Sequence, residues 1–152
     1  MRAKTRGSKV ARVEEANRAR DIAASLPVRS LRCGAVGLRV DCYTGLDMPA
    51  DTRAWALSLL ERNMRDQYNS AGPAGWDPAA KEAEMLSPAS RHLVLRTEEA
   101  LQHVAFSHFR FDMDYEEDVL YCYEIQIEEQ WQRKGIGRWA IQFLVPSLLI
   151  DS

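Results

Sequence analysis

The run Gln132-Arg133-Lys134-Gly135-Ile136-Gly137-Arg138 puts two glycines and three cations at one junction, just after an apolar stretch. Glycine lets backbone N–H groups approach a ligand closely. A helix that starts at such a point directs its first free N–H groups and its dipole toward an anion. Arg133, Lys134 and Arg138 add the charge a pyrophosphate requires. Taken alone, a glycine-x-glycine turn is more often an ordinary entry into a core helix. A second residue with chemical potential lies upstream. Glu124 stands in the stretch Leu120 to Ile127, which is otherwise largely apolar and aromatic. An unpaired carboxylate would be costly there, and such a setting can tune a carboxylate to act as a general base. An edge-strand Glu facing water is the equally weighted alternative.

Around Glu124, Tyr121 and Tyr123 alternate with Cys122, which puts the two tyrosines on one face of a regular strand and Glu124 with Cys122 on the other. Core packing is the ordinary fate of such tyrosines. Cys122 has no His partner in a recognisable motif, so it does not read as a nucleophile. Asp112 and Asp114 open an acidic turn that is either a solvated hairpin tip or a site for a cationic ligand.

These residues need a framework, and the chain predicts one. Val10 to Leu26 has helical composition and ends before Pro27, and Gly37 to Tyr43 alternates as a half-buried strand. Asp51 can cap a helix reaching Tyr68, with Leu57, Leu60, Met64 and Tyr68 on one face. Asn69 to Pro78 reads as a loop and Ala79 to Met85 as a short helix. Strands follow at Arg91 to Thr97 and Val104 to Phe111, joined by a turn at Glu98 to Gln102. A further turn at Asp112 to Asp118 leads to a strand at Val119 to Ile127, and a helix begins near Gly135. The order implies an α+β domain with a mostly antiparallel sheet.

At 152 residues, 46% apolar and 28% charged, the chain is one soluble domain's worth with net charge −2. Its charge is unevenly placed. Met1 to Arg12 holds five basic residues and no acidic one, whereas Phe111 to Gln130 holds eight Asp and Glu and no Lys or Arg. Cys33, Cys42 and Cys122 form no metal or disulfide spacing and read as reduced thiols in an intracellular protein. The N-terminus lacks the apolar core of a secretory signal, and Glu14 and Glu15 spoil an organelle transit pattern. The most apolar segment, Ala140 to Ile150, is too short and too interrupted to span a bilayer.

Gln132-x-x-Gly135-x-Gly137, placed after a strand, resembles the Q/R-x-x-G-x-G/A signature of GNAT acetyltransferases. The stretches Ala105-Phe106-Ser107-His108-Phe109-Arg110-Phe111-Asp112 and Val119-Leu120-Tyr121-Cys122-Tyr123-Glu124-Ile125-Gln126 resemble NatD, the N-terminal acetyltransferases of histones 4 and 2A. Fainter similarity runs through Asn63-Met64, Tyr68 and Gly75-Trp76. The resemblance implies a GNAT fold and acetyl-CoA as cosubstrate, with no metal. The acceptor it implies is the α-amine of Ser-Gly-Arg-Gly histone tails, in cytoplasm and nucleus. It implies Glu124 as general base, with Tyr123 beside it in the catalytic centre. Backbone groups of Ile125, Gln126 and Ile127, together with Gln132, Arg133, Lys134, Gly135, Ile136, Gly137 and Arg138, would hold the cofactor. Tyr68, Trp76, Asp112, Met113, Asp114, Tyr121 and Tyr123 would bind the peptide. His108 reads as structural. Neither a membrane nor a direct nucleic-acid partner is expected. The basic arm is either a ribosome or nuclear-import contact or a solubilising tail. The alternatives are a non-catalytic product that still binds CoA or histone tails, and a GNAT acting on another amine.

Residues 1–26 thus read as a basic arm and helix, and 27–152 as the GNAT domain. The resemblance ends near Leu144, and Pro146 would interrupt the last helix. The expectation is a domain short of its C-terminal strands, with reduced stability and turnover.

Overall fold

The computed structural model describes residues 30–71, 75–114 and 117–140; of 71, 111–114 and 117–120 it describes the backbone alone. The elements run β1 (Ser30–Cys33), β2 (Val36–Thr44), α1 (Ala50–Ala71), α2 (Pro78–Met85), β3 (Arg91–Thr97), β4 (His103–Asp114) and β5 (Glu117–Ile127). A 3-10 turn at Glu129–Trp131 and a short α3 (Ile136–Trp139) complete the described chain. The five strands form one antiparallel meander in the order β1-β2-β3-β4-β5. This is the α+β arrangement expected from the sequence.

β3 is central and buried along its whole length. Its alternation divides the protein into two cores. Leu93 and Leu95 join Leu38, Val40, Val104, Ala105 and Phe109 against Ile136 and Trp139 of α3. Val94 joins Phe106, Met48 and Met85 against Ala56, Leu59 and Leu60 of α1. On that second face Arg96 is buried but satisfied. Its guanidinium donates to Asp41 Oδ2 at 2.8 Å, Tyr43 Oη at 2.8 Å and Thr52 Oγ1 at 2.6 Å, as a buried charge must.

Several boundaries differ from the sequence expectation. β1 was not anticipated; Leu31 and Cys33 alternate with Ser30 and Arg32, but over only four residues, too short a run to stand out. α1 continues to Ala71, shortening the Asn69 to Pro78 loop, and α2 begins with Asp77 as its cap, whose carboxylate accepts from the Ala80 N–H. The turn expected over Asp112 to Asp118 is narrower, since strand pairing takes in Asp112 to Asp114 and Glu117 to Asp118. β4 runs to Asp114 and β5 resumes at Glu117, with Asp112 opposite Val119, Met113 opposite Asp118 and Asp114 opposite Glu117. A run of acidic residues predicts a turn from its charge alone, whereas backbone pairing in an antiparallel ribbon does not depend on side-chain charge. The helix expected at Val10 to Leu26 and the segment containing Pro146 lie outside the described residues. Among the described residues no helix is long and apolar enough to cross a membrane.

Candidate active site

Glu124 is the centre of a network built by three elements. From α1, Tyr68 Oη donates to its Oε1 at 2.9 Å. From α2, Lys81 Nζ approaches the same oxygen at 3.2 Å. Along β5, Gln126 Nε2 donates to Oε2 at 3.0 Å. The Glu124 side chain is only 10% exposed, so these donors matter. The carboxylate is paired with an ammonium and hydrogen-bonded on both oxygens, and does not face water as an edge-strand Glu would.

α1 docks on β5 and on Glu128, the residue just after it, through alternate positions. Trp55 Nε1 and Arg62 both donate to Glu128, at 2.9 Å for the indole and 2.9 and 3.0 Å for the guanidinium. Asn63 Nδ2 donates to Gln126 Oε1 at 3.1 Å and to the Ile127 carbonyl at 3.2 Å. Tyr68 then takes Glu124. Positions 124, 126 and 128 recur every second residue and therefore share a strand face; α1 meets them at successive turns.

A register shift decides which side chains join this face. His108 is opposite Glu124, but Phe109 is opposite Cys122, leaving Tyr123 as an extra residue on β5. The bulge breaks the alternation expected for this strand. Tyr123 stacks on His108 at 5.1 Å between ring centroids and lies 6.2 Å from Tyr121. Tyr121, Tyr123 and Glu124 therefore share the helix-bearing face, a correction to the expected separation of Glu124 from the tyrosines. The two tyrosines are 39% and 40% exposed, so they are not core residues. Trp76 packs against Tyr68 at 5.5 Å, and Arg110 lies over the Tyr123 ring at 5.4 Å. For Asp112, Met113 and Asp114 the strand register is described, while their side chains lie outside the described residues. The Cys122 thiol is pushed up by burial of its sulfur and by the Glu124 charge, although the residue as a whole is exposed. That disfavours a thiolate nucleophile.

Behind Tyr123, the His108 and His92 rings pack at a tilt, 4.7 Å between centroids. His92 Nε2 donates to the Met85 carbonyl at 2.9 Å. The Ser90 hydroxyl donates to the Glu84 carbonyl at 2.7 Å, so His108 Nε2 must donate to Ser90 Oγ at 2.8 Å. Burial, with neighbouring cations, lowers His108 to about 3 and His92 to about 4. Both imidazoles are neutral in the folded protein. Above the unfolded value of 6.5 they cost nothing. As pH falls below it, the unfolded chain takes up protons that the native state refuses, and stability drops until the folded values are reached. Denaturant unfolding at pH 7.5, 6.5 and 5.5 should show a loss of up to about 1.4 kcal/mol per pH unit for each imidazole. Replacing both with Gln should flatten that slope.

β5 is the edge of the sheet among the described residues. The Glu128 N–H bonds the Val104 carbonyl at 2.9 Å. By the alternation of an antiparallel ladder, Gln126 also faces β4, while Ile125 and Ile127 turn their backbone groups to the open edge. Gln126 instead contributes its side chain, to Glu124. Beyond β5, the Gln132 side chain donates to the Ile127 carbonyl at 3.0 Å. Arg133 (φ 61) and Gly135 (φ 86) both adopt left-handed backbone. A side chain at Gly135 would meet nothing within 4 Å, so its glycine serves backbone conformation rather than internal packing. Gln132, Arg133, Lys134 and Arg138 are exposed, with Lys134 Nζ over the Trp131 ring at 5.2 Å. Ile136 is buried in the core and anchors α3.

Lys81, Asn63 and Arg110 were not singled out from the sequence as site residues. Lys81 and Glu84 resemble an ordinary surface pair within one helix, and nothing local reveals that Lys81 reaches a strand far along the chain.

The fold is shared with solved structures of other proteins. Among solved structures, the chain is similar to a fungal multi-domain beta-N-acetylglucosaminidase that carries a GCN5-related glucosamine N-acetyltransferase region. The TM-score is 0.51 with 14% identity over 75% of this chain. The chain spans about 12% of that protein's length. A mutant BH1408 protein from Bacillus halodurans gives a TM-score of 0.49 with 15% identity, covering 70% of this chain and 72% of its own. No model of a known protein family matches the sequence. At such identities the likeness to the first establishes the fold.

Proposed function

We propose that this chain is an acetyl-CoA-dependent N-terminal acetyltransferase of NatD type, acting on the Ser-Gly-Arg-Gly tails of histones 4 and 2A. One juxtaposition supports this most. Glu124, hydrogen-bonded by Tyr68 and on the same strand face as Tyr121 and Tyr123, lies on the edge strand that presents the backbone of Ile125 and Ile127, directly before the Gln132 to Arg138 loop. The residues fit the cosubstrate: the loop is exposed, cationic and open at Gly135.

Bound acetyl-CoA supplies an activated acetyl thioester. Arg133, Lys134, Arg138 and the first N–H groups of α3, at Ile136 and Gly137, hold the pyrophosphate, while Ile125 and Ile127 offer N–H donors at the sheet edge. Glu124 accepts the proton of the acceptor amine, directly or through a water. Tyr68, Trp76, Tyr121 and Tyr123 enclose the peptide's first residue. Asp112 and Asp114, from the end of the β4–β5 ribbon, take its cationic arginine, with Met113 between them contacting the peptide. A histone substrate places the protein in cytoplasm and nucleus, and the basic arm serves ribosome or import contacts.

Comparing kcat/KM for a Ser-Gly-Arg-Gly peptide, its Ser-Gly-Ala-Gly counterpart and glucosamine tests the acceptor class. The first should be preferred, with the alanine peptide reduced by about 10- to 100-fold. Equal turnover of peptide and glucosamine would overturn the peptide reading.

A further inference from the structure

Resting on the acetyl-transfer reading, we infer that Lys81 is a positioning residue: it clamps the Glu124 carboxylate from α2, and its charge makes the site select an acceptor amine in the neutral form. The geometry carries this. Glu124 has about four acceptor sites as a carboxylate. Among the described residues, Tyr68 and Lys81 occupy Oε1 and Gln126 one position on Oε2. The remaining direction, on Oε2, is where an amine or a bridging water can be received.

Lys81 is itself held in place. Its ammonium lies 5.2 Å from the Tyr68 ring centroid and 3.7 Å from Glu84 Oε2. Burial works against its charge, but the hydrogen bonds to Tyr68 and Glu124 and the charges of Glu124 and Glu84 outweigh it, raising its pKa. It remains an ammonium throughout the working range. The other groups facing the network are Tyr68 from α1, Glu84 from α2, His108 and Arg110 from β4, and Cys122 and Tyr123 from β5. His108 is neutral there, and Arg110 is turned to the Tyr123 ring and the Glu84 carbonyl. Lys81 is thus the cation in contact with the base.

The consequence concerns proton accounting. An acceptor ammonium must give up one proton to solvent before its nitrogen can attack. A second passes to Glu124 as the N–C bond forms and the C–S bond breaks, and from there to the departing sulfur. A bare carboxylate would bind the ammonium firmly and hold that first proton in place. With a fixed cation sharing Oε1, an ammonium on Oε2 is repelled and the free amine is favoured.

The test is kcat and KM for the Ser-Gly-Arg-Gly peptide with saturating acetyl-CoA from about pH 6 to 10, using the full chain and its Lys81→Met, Lys81→Gln and Lys81→Arg variants. The ascending limb of kcat should move up by about one pH unit in both neutral variants. At neutral pH their kcat should fall about tenfold without a rise in KM, and Lys81→Arg should retain the wild-type limb. The Gln variant keeps a hydrogen-bond donor, so it guards against a packing defect in the Met variant. A limb that stays in place, with kcat reduced by one factor at every pH, would overturn the role of Lys81 while leaving acetyl transfer intact. Absence of turnover by the wild-type chain would overturn the acetyl-transfer reading itself, and this role with it.

Discussion

Glu124→Gln is expected to lower kcat for the Ser-Gly-Arg-Gly peptide by about 10²- to 10⁴-fold, the range lost when a general base is removed. Acetyl-CoA affinity should remain within about twofold, since the phosphate loop is untouched. The substitution is nearly isosteric. The Gln carbonyl can still accept from Tyr68 or Lys81, which hold Oε1 at 2.9 and 3.2 Å, so the helices keep their contacts with β5. What is lost is a group able to take a proton from the amine. Steady-state kinetics at saturating peptide, with calorimetry for the cofactor, checks both halves. A loss below about tenfold would place the base elsewhere, with Tyr123 the first alternative.

The second large effect is at the loop. Gly135→Val combined with Gly137→Val should weaken acetyl-CoA binding by at least about a hundredfold, because left-handed backbone alone costs a β-branched residue roughly 1–2 kcal/mol and the new methyl groups also fill ligand space. The two glycines act differently. Gly135 has φ 86 and open space around it, so its penalty is conformational. A Cβ at Gly137 would lie 3.5 Å from Ile127 Cδ1, an ordinary contact, so Gly137→Ala should leave the fold intact and serve as a control. Unchanged cofactor affinity in calorimetry for the double variant would remove this loop from the cofactor site.

The chain disclosed its framework unevenly, for identifiable reasons. β3 and the turn after it were legible because Leu93, Val94 and Leu95 stand in a buried run bounded by polar residues. The junction at Gly135 was legible from its glycines and cations. β1 escaped because Leu31 and Cys33 alternate with polar residues over a run of only four. The β4–β5 ribbon was cut short because Asp112 to Asp118 was read as charge and therefore as turn. Glu124 could be singled out, but its surroundings could not. Strict alternation sends it away from Tyr121 and Tyr123, and only the pairing of β5 with β4 discloses the extra residue at Tyr123. Lys81 lay beyond reach for a related cause: its partner is set by how α2 packs on the sheet, and no local pattern encodes that.

The central claim is that Glu124, the edge of β5 and the Gln132 to Arg138 loop form one site for acetyl transfer to a peptide α-amine. Its most direct test is mass spectrometry of a Ser-Gly-Arg-Gly peptide containing an internal lysine, incubated with acetyl-CoA and this chain, beside the same peptide with its N-terminus blocked. The account predicts a single acetyl group on the first residue of the free peptide and none on the blocked one. Equal acetylation of both, or modification of the lysine alone, would contradict it.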